Sequence, residues 1–362
     1  MKKIIITGGH FTPGLAIIPV LRKKGFLPFW VGEENAVLGT KIKTLEARIL
    51  PGLDVPYYAI TTAKFSRNNL FLFILNLWKL PVGFIQSFLI LVKVKPRAVL
   101  SFGGYVSYPV CFTAWLLGIP IIVHEQTAAS GLANRQVAKI ARFVAISFEN
   151  SRKAFTKEKT VLTGNLVRES IFEIPKKRSK RKKNRIPVIY ITGGSRGSQA
   201  INKAVFEIAE ELAQSFVVYH QTGSLDLETA NKISQKIKNG NYRTQDVIAP
   251  TEVERRLEEA DLVIARSGAN TVSEIAICQI PAIFIPLPFA GSDEQTKNAE
   301  LLEEAGMAQI LPQGRLSGTV LLEMINKVYG QIDNYRKNAS RVSALIPQDA
   351  SFKLVSLIEK AI

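Results

Sequence analysis

The sequence predicts an α/β protein built from two tandem Rossmann-like domains. Three observations predict it. Short apolar runs of β type recur, and each ends in small or glycine-rich residues. Helical patterns separate these runs, and the alternation starts afresh at Ile186, after a strongly basic stretch. Strands alternating with helices form parallel βαβ units, because a parallel crossover needs a dozen or more residues and a helix supplies them.

In chain order, the first apolar run, residues 4–6, ends in Thr7-Gly8-Gly9-His10 and leads through Pro13 into a helical pattern at 15–24. Two lysines and this short run open the chain, far short of a secretory apolar core of roughly 7–15 residues. Residues 70–94 are very apolar, but Asn76, Lys79, Pro81 and Gln86 interrupt them. No clean run reaches the roughly 20 residues that cross a bilayer. Two short helices joined near Pro81, lying in a membrane interface or packed on the domain, are expected. The strand at 99–100 runs into Gly103-Gly104, and the one at 120–123 into His124-Glu125-Gln126. In the second half, residues 188–191 precede Gly193-Gly194-Ser195, and residues 263–264 precede Ser267-Gly268. Helical patterns lie at 200–213 and 252–259.

Between the halves, residues 176–185 hold eight Lys or Arg and no acid, which reads as a solvated connector. The expected organisation is a first domain at 1–165, a basic linker at 166–185 and a second domain at 186–346. Ligands of open α/β sheets bind at the carboxyl ends of strands, so a cleft between the domains is the expected site.

The 362 residues are 47% hydrophobic and 21% charged, which excludes a disordered chain and a disulfide miniprotein. Cys111 and Cys278 sit in apolar segments without a CxxC pattern, and three histidines are too few for a multi-histidine metal centre. The net charge of +17 is uneven. Residues 1–165 carry 21 basic and 7 acidic side chains, residues 166–185 carry 9 and 2, and residues 186–362 carry 17 and 21. A strongly cationic first half suits an anionic partner, a membrane surface or a nucleic acid.

The loop Thr7-Gly8-Gly9-His10 joins a strand to a helix, where backbone N–H groups can meet a phosphate. It is not GxGxxG, which argues against NAD or FAD. An imidazole at His10 can take a proton from a hydroxyl nucleophile or bond to backbone. Gly103-Gly104-Tyr105 is a second glycine turn. His124, Glu125 and Gln126 end a strand, where polar residues either face a site or cap the chain. Gly193-Gly194-Ser195-Arg196-Gly197 is a further anion cradle. Ser267-Gly268 breaks a strand, and the helix starting at Ala269-Asn270-Thr271 can hold a diphosphate at its N-terminus. Glu274, a turn or more into it, can grip the two hydroxyls of a ribose or form a salt bridge. Gln295 and Asn298 share a helical face suited to sugar hydroxyls.

Taken in order, these segments resemble the MurG family, peptidoglycan GlcNAc transferases of the GT-B fold in glycosyltransferase family 28. The matching strings are GGHFTPGLA from Gly8, SFGGYVSYP from Ser101, IPIIVHEQ from Ile119 and GLANR from Gly131. They continue with Gly164–Arg168, GGS-G from Gly193, HQTG from His220, ADLVIARSGANTVSEIA from Ala260, and Gln295-Thr296-Lys297-Asn298-Ala299.

The resemblance implies inverting transfer of GlcNAc from UDP-GlcNAc to the C4 hydroxyl of MurNAc in lipid I (undecaprenyl-pyrophosphoryl-MurNAc-pentapeptide), giving lipid II. It implies His10 or Glu125 as general base. For the donor it implies Arg168, Ser195, Gly268, Ala269, Asn270, Thr271, Glu274, Gln295 and Asn298. Near the acceptor pyrophosphate it implies Thr7, Gly8, Gly9, Gly103, Gly104, Tyr105 and Thr127. It also implies a last helix at 347–362 returning to the first domain, and a membrane patch containing Phe84 and Trp115. It further implies that no metal and no cofactor are required, that nucleic acid is no partner, and that the protein acts peripherally at the cytoplasmic face of the cell membrane, alongside cell-wall synthesis proteins.

The chain departs from the family pattern at several positions. Ile5-Ile6 stand where the family's first loop has two glycines, and Thr127 stands for an Asn whose amide would donate to the acceptor or base. Arg196 stands for a neutral amide, Leu166 for a proline, which should loosen the hinge turn, and Asn270 for an apolar residue. The alternatives are a transferase of the same fold acting on another lipid, such as diacylglycerol, a UDP-sugar epimerase, and a non-catalytic nucleotide-binding membrane protein.

Overall fold

The computed structural model describes residues 1–35, 43–62, 79–127, 130–181, 185–194, 197–288, 293–343 and 346–362. The chain forms two units, Met1–Arg168 with Pro347–Ile362, and Glu169–Ile346. In the first, β1 (Lys2–Thr7), β2 (Phe26–Gly32), β3 (Tyr57–Ala59), β4 (Ala98–Ser101), β5 (Ile121–Glu125), β6 (Phe143–Ile146) and β7 (Thr160–Leu162) form a parallel sheet in the order β3-β2-β1-β4-β5-β6-β7. Successive strand residues point to opposite faces, and both faces are covered, which explains why β1 is apolar without alternation. Ile4 and Ile6 pack with Leu100, Leu354 and Ile358, whereas Ile5 packs with Val99, Leu91 and Val110 on the other side. The last helix, Ala350–Ala361, thus completes one face of the first sheet.

In the second unit, β8 (Val188–Thr192), β9 (Val217–Gln221), β10 (Tyr242–Gln245), β11 (Leu262–Ala265), β12 (Ala282–Phe284) and β13 (Ala308–Ile310) follow the same plan, in the order β10-β9-β8-β11-β12-β13. Each sheet reverses its winding beside its first strand, between β1 and β4 and between β8 and β11. Loops at such a reversal diverge and leave a crevice at the carboxyl ends. The glycine-rich segments after β1, β4, β8 and β11 all lie there.

One expectation changes. The stretch read as a solvated connector falls in the second unit, and its described part includes the helix Ile174–Ser179. Arg178 donates to the carbonyls of Leu257 and Ala260, Arg181 to those of Glu258 and Glu259, and Arg185 binds the Asp261 carboxylate at 2.6 Å. The basic run neutralises the carbonyl end of the helix Pro250–Glu259, whose last C=O groups have no intrahelical partner. Of the two short helices expected to join near Pro81, the described residues contain the one that carries Pro81 near its start, Lys79–Val94. The part of the apolar stretch before residue 79 lies outside the described residues. Leu166, which stands for a proline, is fully buried in the first unit's core.

Ile358→Ala should lower the unfolding free energy by about 3 kcal/mol, as expected for a large-to-small change at a fully buried site. Chemical denaturation checks this, and a loss below about 1 kcal/mol would remove the last helix from the core.

Candidate active site

The carboxyl end of the first sheet is built by backbone crowding. A Cβ on Gly8, whose φ is +142°, would lie 2.8 Å from the Phe102 carbonyl carbon, and one on Gly103 would lie 2.6 Å from Asn134 Oδ1. The two glycine loops therefore stack, and Gly9 N–H donates to Gly103 O at 2.9 Å. Gly103 N–H in turn donates to Ser101 Oγ at 3.2 Å. Of these two amides, both expected to face a phosphate, that of Gly9 ties the loops together and that of Gly103 bonds within its own segment. Thr7 is buried at the end of β1, and its hydroxyl has no partner among the described residues. Tyr105 is exposed and donates to Glu33 Oε2 at 3.2 Å.

His10 is the N-cap residue of the helix Phe11–Lys23, yet its side chain makes no capping bond. The ring keeps access to water. Protein around it displaces enough solvent to lower the imidazole pKa below 6.5, and the charge of Glu125 opposes that shift. At neutral pH His10 is therefore an unprotonated imidazole.

Glu125 is different in kind. It is buried, and its Oε1 accepts from Thr127 N–H at 3.0 Å and from the Thr127 hydroxyl at 2.7 Å. Oε2 accepts from Gly131 N–H and from Asn134 Nδ2, each at 3.0 Å. Four donors occupy the roughly four lone-pair directions of a carboxylate. Thr127, expected to be a weaker partner than Asn, thus supplies two of the four. Its carbonyl accepts from Ser151 Oγ at 2.7 Å, which anchors the same loop. His124 points into the core, where its Nε2 meets Gly164 O at 3.3 Å and its ring packs on Phe102. Burial lowers its pKa to about 4.

In the second unit, β8 runs into Gly193 and Gly194, and Gly197-Ser198 opens the helix Gln199–Ser215, where Ser198 Oγ accepts from Ile201 N–H. A Cβ on Gly197 would lie 2.0 Å from Thr222 O. Ser195, with Arg196, lies outside the described residues. The helix Ala269–Ile277 has Gly268 as N-cap and no acid in its first turn, so nothing in that turn neutralises the field at its start. Ala269, Asn270 and Thr271 form that turn, and Glu274 follows in the next, largely buried. Gln295 is half-buried and accepts from Leu287 N–H at 3.0 Å, leaving its amide nitrogen without a partner among the described residues. Asn298, expected to face a sugar, is fully buried and donates to Ser267 O at 3.2 Å. It supports the helix start from behind. Arg168 is half-buried and is the last residue of the first unit's main segment. Among the described residues, no group of three or more His, Cys, Asp or Glu is arranged to hold a metal ion.

Residues 5–146 match the model of the glycosyltransferase family 28 N-terminal domain, and residues 188–354 that of its C-terminal domain. The chain is 34% identical to the UDP-N-acetylglucosamine–N-acetylmuramyl-(pentapeptide) pyrophosphoryl-undecaprenol N-acetylglucosamine transferase of Colwellia psychrerythraea, over 98% of this chain and 90% of that one. It is 31% identical to the enzyme of the same name from Bacillus subtilis, over 98% and 97%. The chain belongs to the MurG family. The crystal structure of Acinetobacter baumannii MurG superimposes with a TM-score of 0.71 at 27% identity, covering 99% of this chain and all of that one. A UDP-GlcNAc 2-epimerase from Neisseria meningitidis superimposes at 0.65 with 13% identity, a likeness of fold alone.

The MurG resemblance named the carboxyl-end loops but not what holds them. Asn134 and Arg266, which bonds to four groups, stand in the matching strings without a role of their own. The exposed apolar face was likewise larger than expected. Ile85, Phe88, Leu89 and Val92 on the helix Lys79–Val94 are exposed, with Trp115, Leu116 and Leu117 on or just after the next helix. Phe84 is half-buried against Tyr108 and Phe112.

All three histidines should titrate below 6.5 in NMR, with His124 near 4 and His220, buried against Tyr242 and Asn202, near 3. In Glu125→Gln the His10 midpoint should fall further, since a negative charge that favours the imidazolium is gone. A His10 midpoint at or above 6.5 would contradict this.

Proposed function

We propose that the chain transfers GlcNAc from UDP-GlcNAc to the C4 hydroxyl of MurNAc in lipid I, with inversion and with His10 as general base. The observation that carries the reading is full-length similarity, across both domains, to transferases of that name. Inversion by single displacement needs a base on the nucleophile and a stabilised leaving group. His10 is neutral, solvent-accessible and free of capping duty, and it stands at the winding reversal of the first sheet. Glu125 has no lone pair to spare and holds Thr127, Gly131 and Asn134, so the proton goes to His10.

In the second unit, the start of the helix Ala269–Ile277 meets the departing diphosphate, with Ser195 as a further ligand. Glu274 takes the ribose hydroxyls, and Gln295 offers its amide N–H groups to the sugar. These groups stabilise UDP as it leaves, and the reading calls for no cofactor.

The acceptor is a lipid, and the exposed face of Ile85, Phe88, Leu89, Val92 and Trp115 suits docking on a membrane interface. Among the described residues no helix is long and apolar enough to cross a membrane. Arg97, Arg142 and Lys159 line a cavity of about 810 Å³ together with Trp115, which puts cations beside the apolar face for anionic headgroups. The protein then works at the cytoplasmic surface of the membrane.

His10→Ala should lower kcat by about 10²- to 10⁴-fold while UDP affinity stays within about twofold, read by steady-state kinetics and calorimetry. Equal loss of both would remove the base assignment. Phe88→Ser with Leu89→Ser should weaken binding to anionic vesicles by about tenfold or more, since each apolar side chain contributes about 1.5–3 kcal/mol on full burial. Unchanged vesicle binding would place the docking face elsewhere.

A further inference from the structure

Arg266 follows β11 directly, and its guanidinium spans three loops at the carboxyl edge of the second sheet. Nη1 donates to Ile285 O at 2.9 Å and Pro286 O at 3.1 Å, beyond β12. Nη2 donates to Ser198 Oγ at 2.7 Å, at the end of the glycine loop after β8, and to Gln313 Oε1 at 2.5 Å, beyond β13. All four acceptors are neutral. Among the described residues no carboxylate pairs with Arg266, although the side chain is half-buried. Burial lowers its pKa, with no neighbouring charge to oppose the shift.

A half-buried cation without a counter-ion is costly unless a ligand supplies the negative charge. The rigid guanidinium fork also matches this task, because it can hold several carbonyls at fixed angles where a lysine ammonium cannot. We propose that Arg266 is a positioning residue of the donor site, tying the glycine loop after β8 to the loops after β12 and β13 and leaving its positive charge for the donor diphosphate. The inference rests on the second unit being the UDP-GlcNAc site. It differs from the roles given to Arg168 and the Ala269–Ile277 helix, since Arg266 acts through the loops that it holds and through its charge.

The test uses the full chain and its Arg266→Gln and Arg266→Lys variants. UDP affinity is measured by calorimetry and uridine affinity by ligand-observed NMR, with thermal unfolding followed in parallel. Arg266→Gln should weaken UDP about tenfold or more and uridine by no more than about twofold. Arg266→Lys, which keeps the charge and loses the fork, should fall between wild type and Arg266→Gln for UDP. If Arg266→Gln does not fold, the Lys variant carries the test through its selective loss of UDP. UDP affinity within about twofold of wild type in the folded variants, or parallel loss of UDP and uridine, overturns the proposal. Wild-type protein that binds no UDP overturns the donor-site reading itself, and this inference with it.

Discussion

One buried carboxylate holds the carboxyl end of the first sheet together. Glu125 draws Thr127, Gly131 and Asn134 onto its two oxygens. Asn134 sits where a Cβ on Gly103 would have to be, and Gly103 receives the Gly9 amide. The loop that ends in His10 is thus linked through backbone contact to a charge buried in the sheet. Removing any donor leaves part of a desolvated carboxylate unsatisfied, which costs about 1–3 kcal/mol or more. That constraint explains why glycine is required at 8 and 103, and why His10 projects free of its own helix.

The second sheet solves the same problem with the opposite charge. Arg266 ties its carboxyl-end loops through four neutral acceptors, as Glu125 does through four donors. Each sheet reverses its winding at its first strand, so both clasps lie where an open α/β sheet leaves a crevice. An anion in the first unit and a cation in the second suit their partners: the carboxylate favours an imidazolium, and the guanidinium favours a diphosphate.

Much of this was legible in the sequence. The apolar runs closed by glycine located β1, β4, β8 and β11, and the motif strings located His10, Glu125 and the 268–274 helix start. What the sequence did not reveal was direction. His124, Glu125 and Gln126 read as one polar group that either faces a site or caps the chain, but alternation along β5 and the turn after it send His124 into the core and close Glu125 in a clasp. Asn298 shares a face with Gln295 on a helical wheel, yet it lies behind the helix start, fully buried. The basic run at 176–185 looked solvated because composition cannot show that carbonyls at the end of another helix await it.

The central claim is that Glu125 organises the site while His10 takes the proton. The measurement that tests it most directly is the pH dependence of kcat/KM in wild type and Glu125→Gln, which reports the essential base of the free enzyme. The rate should fall as the pH drops through the His10 pKa, below 6.5, because protonation removes the base. In Glu125→Gln the plateau should be lower, and the same single-proton limb should persist at a more acidic pH. A Glu125→Gln profile that has lost its acid limb would mean that Glu125 is the base.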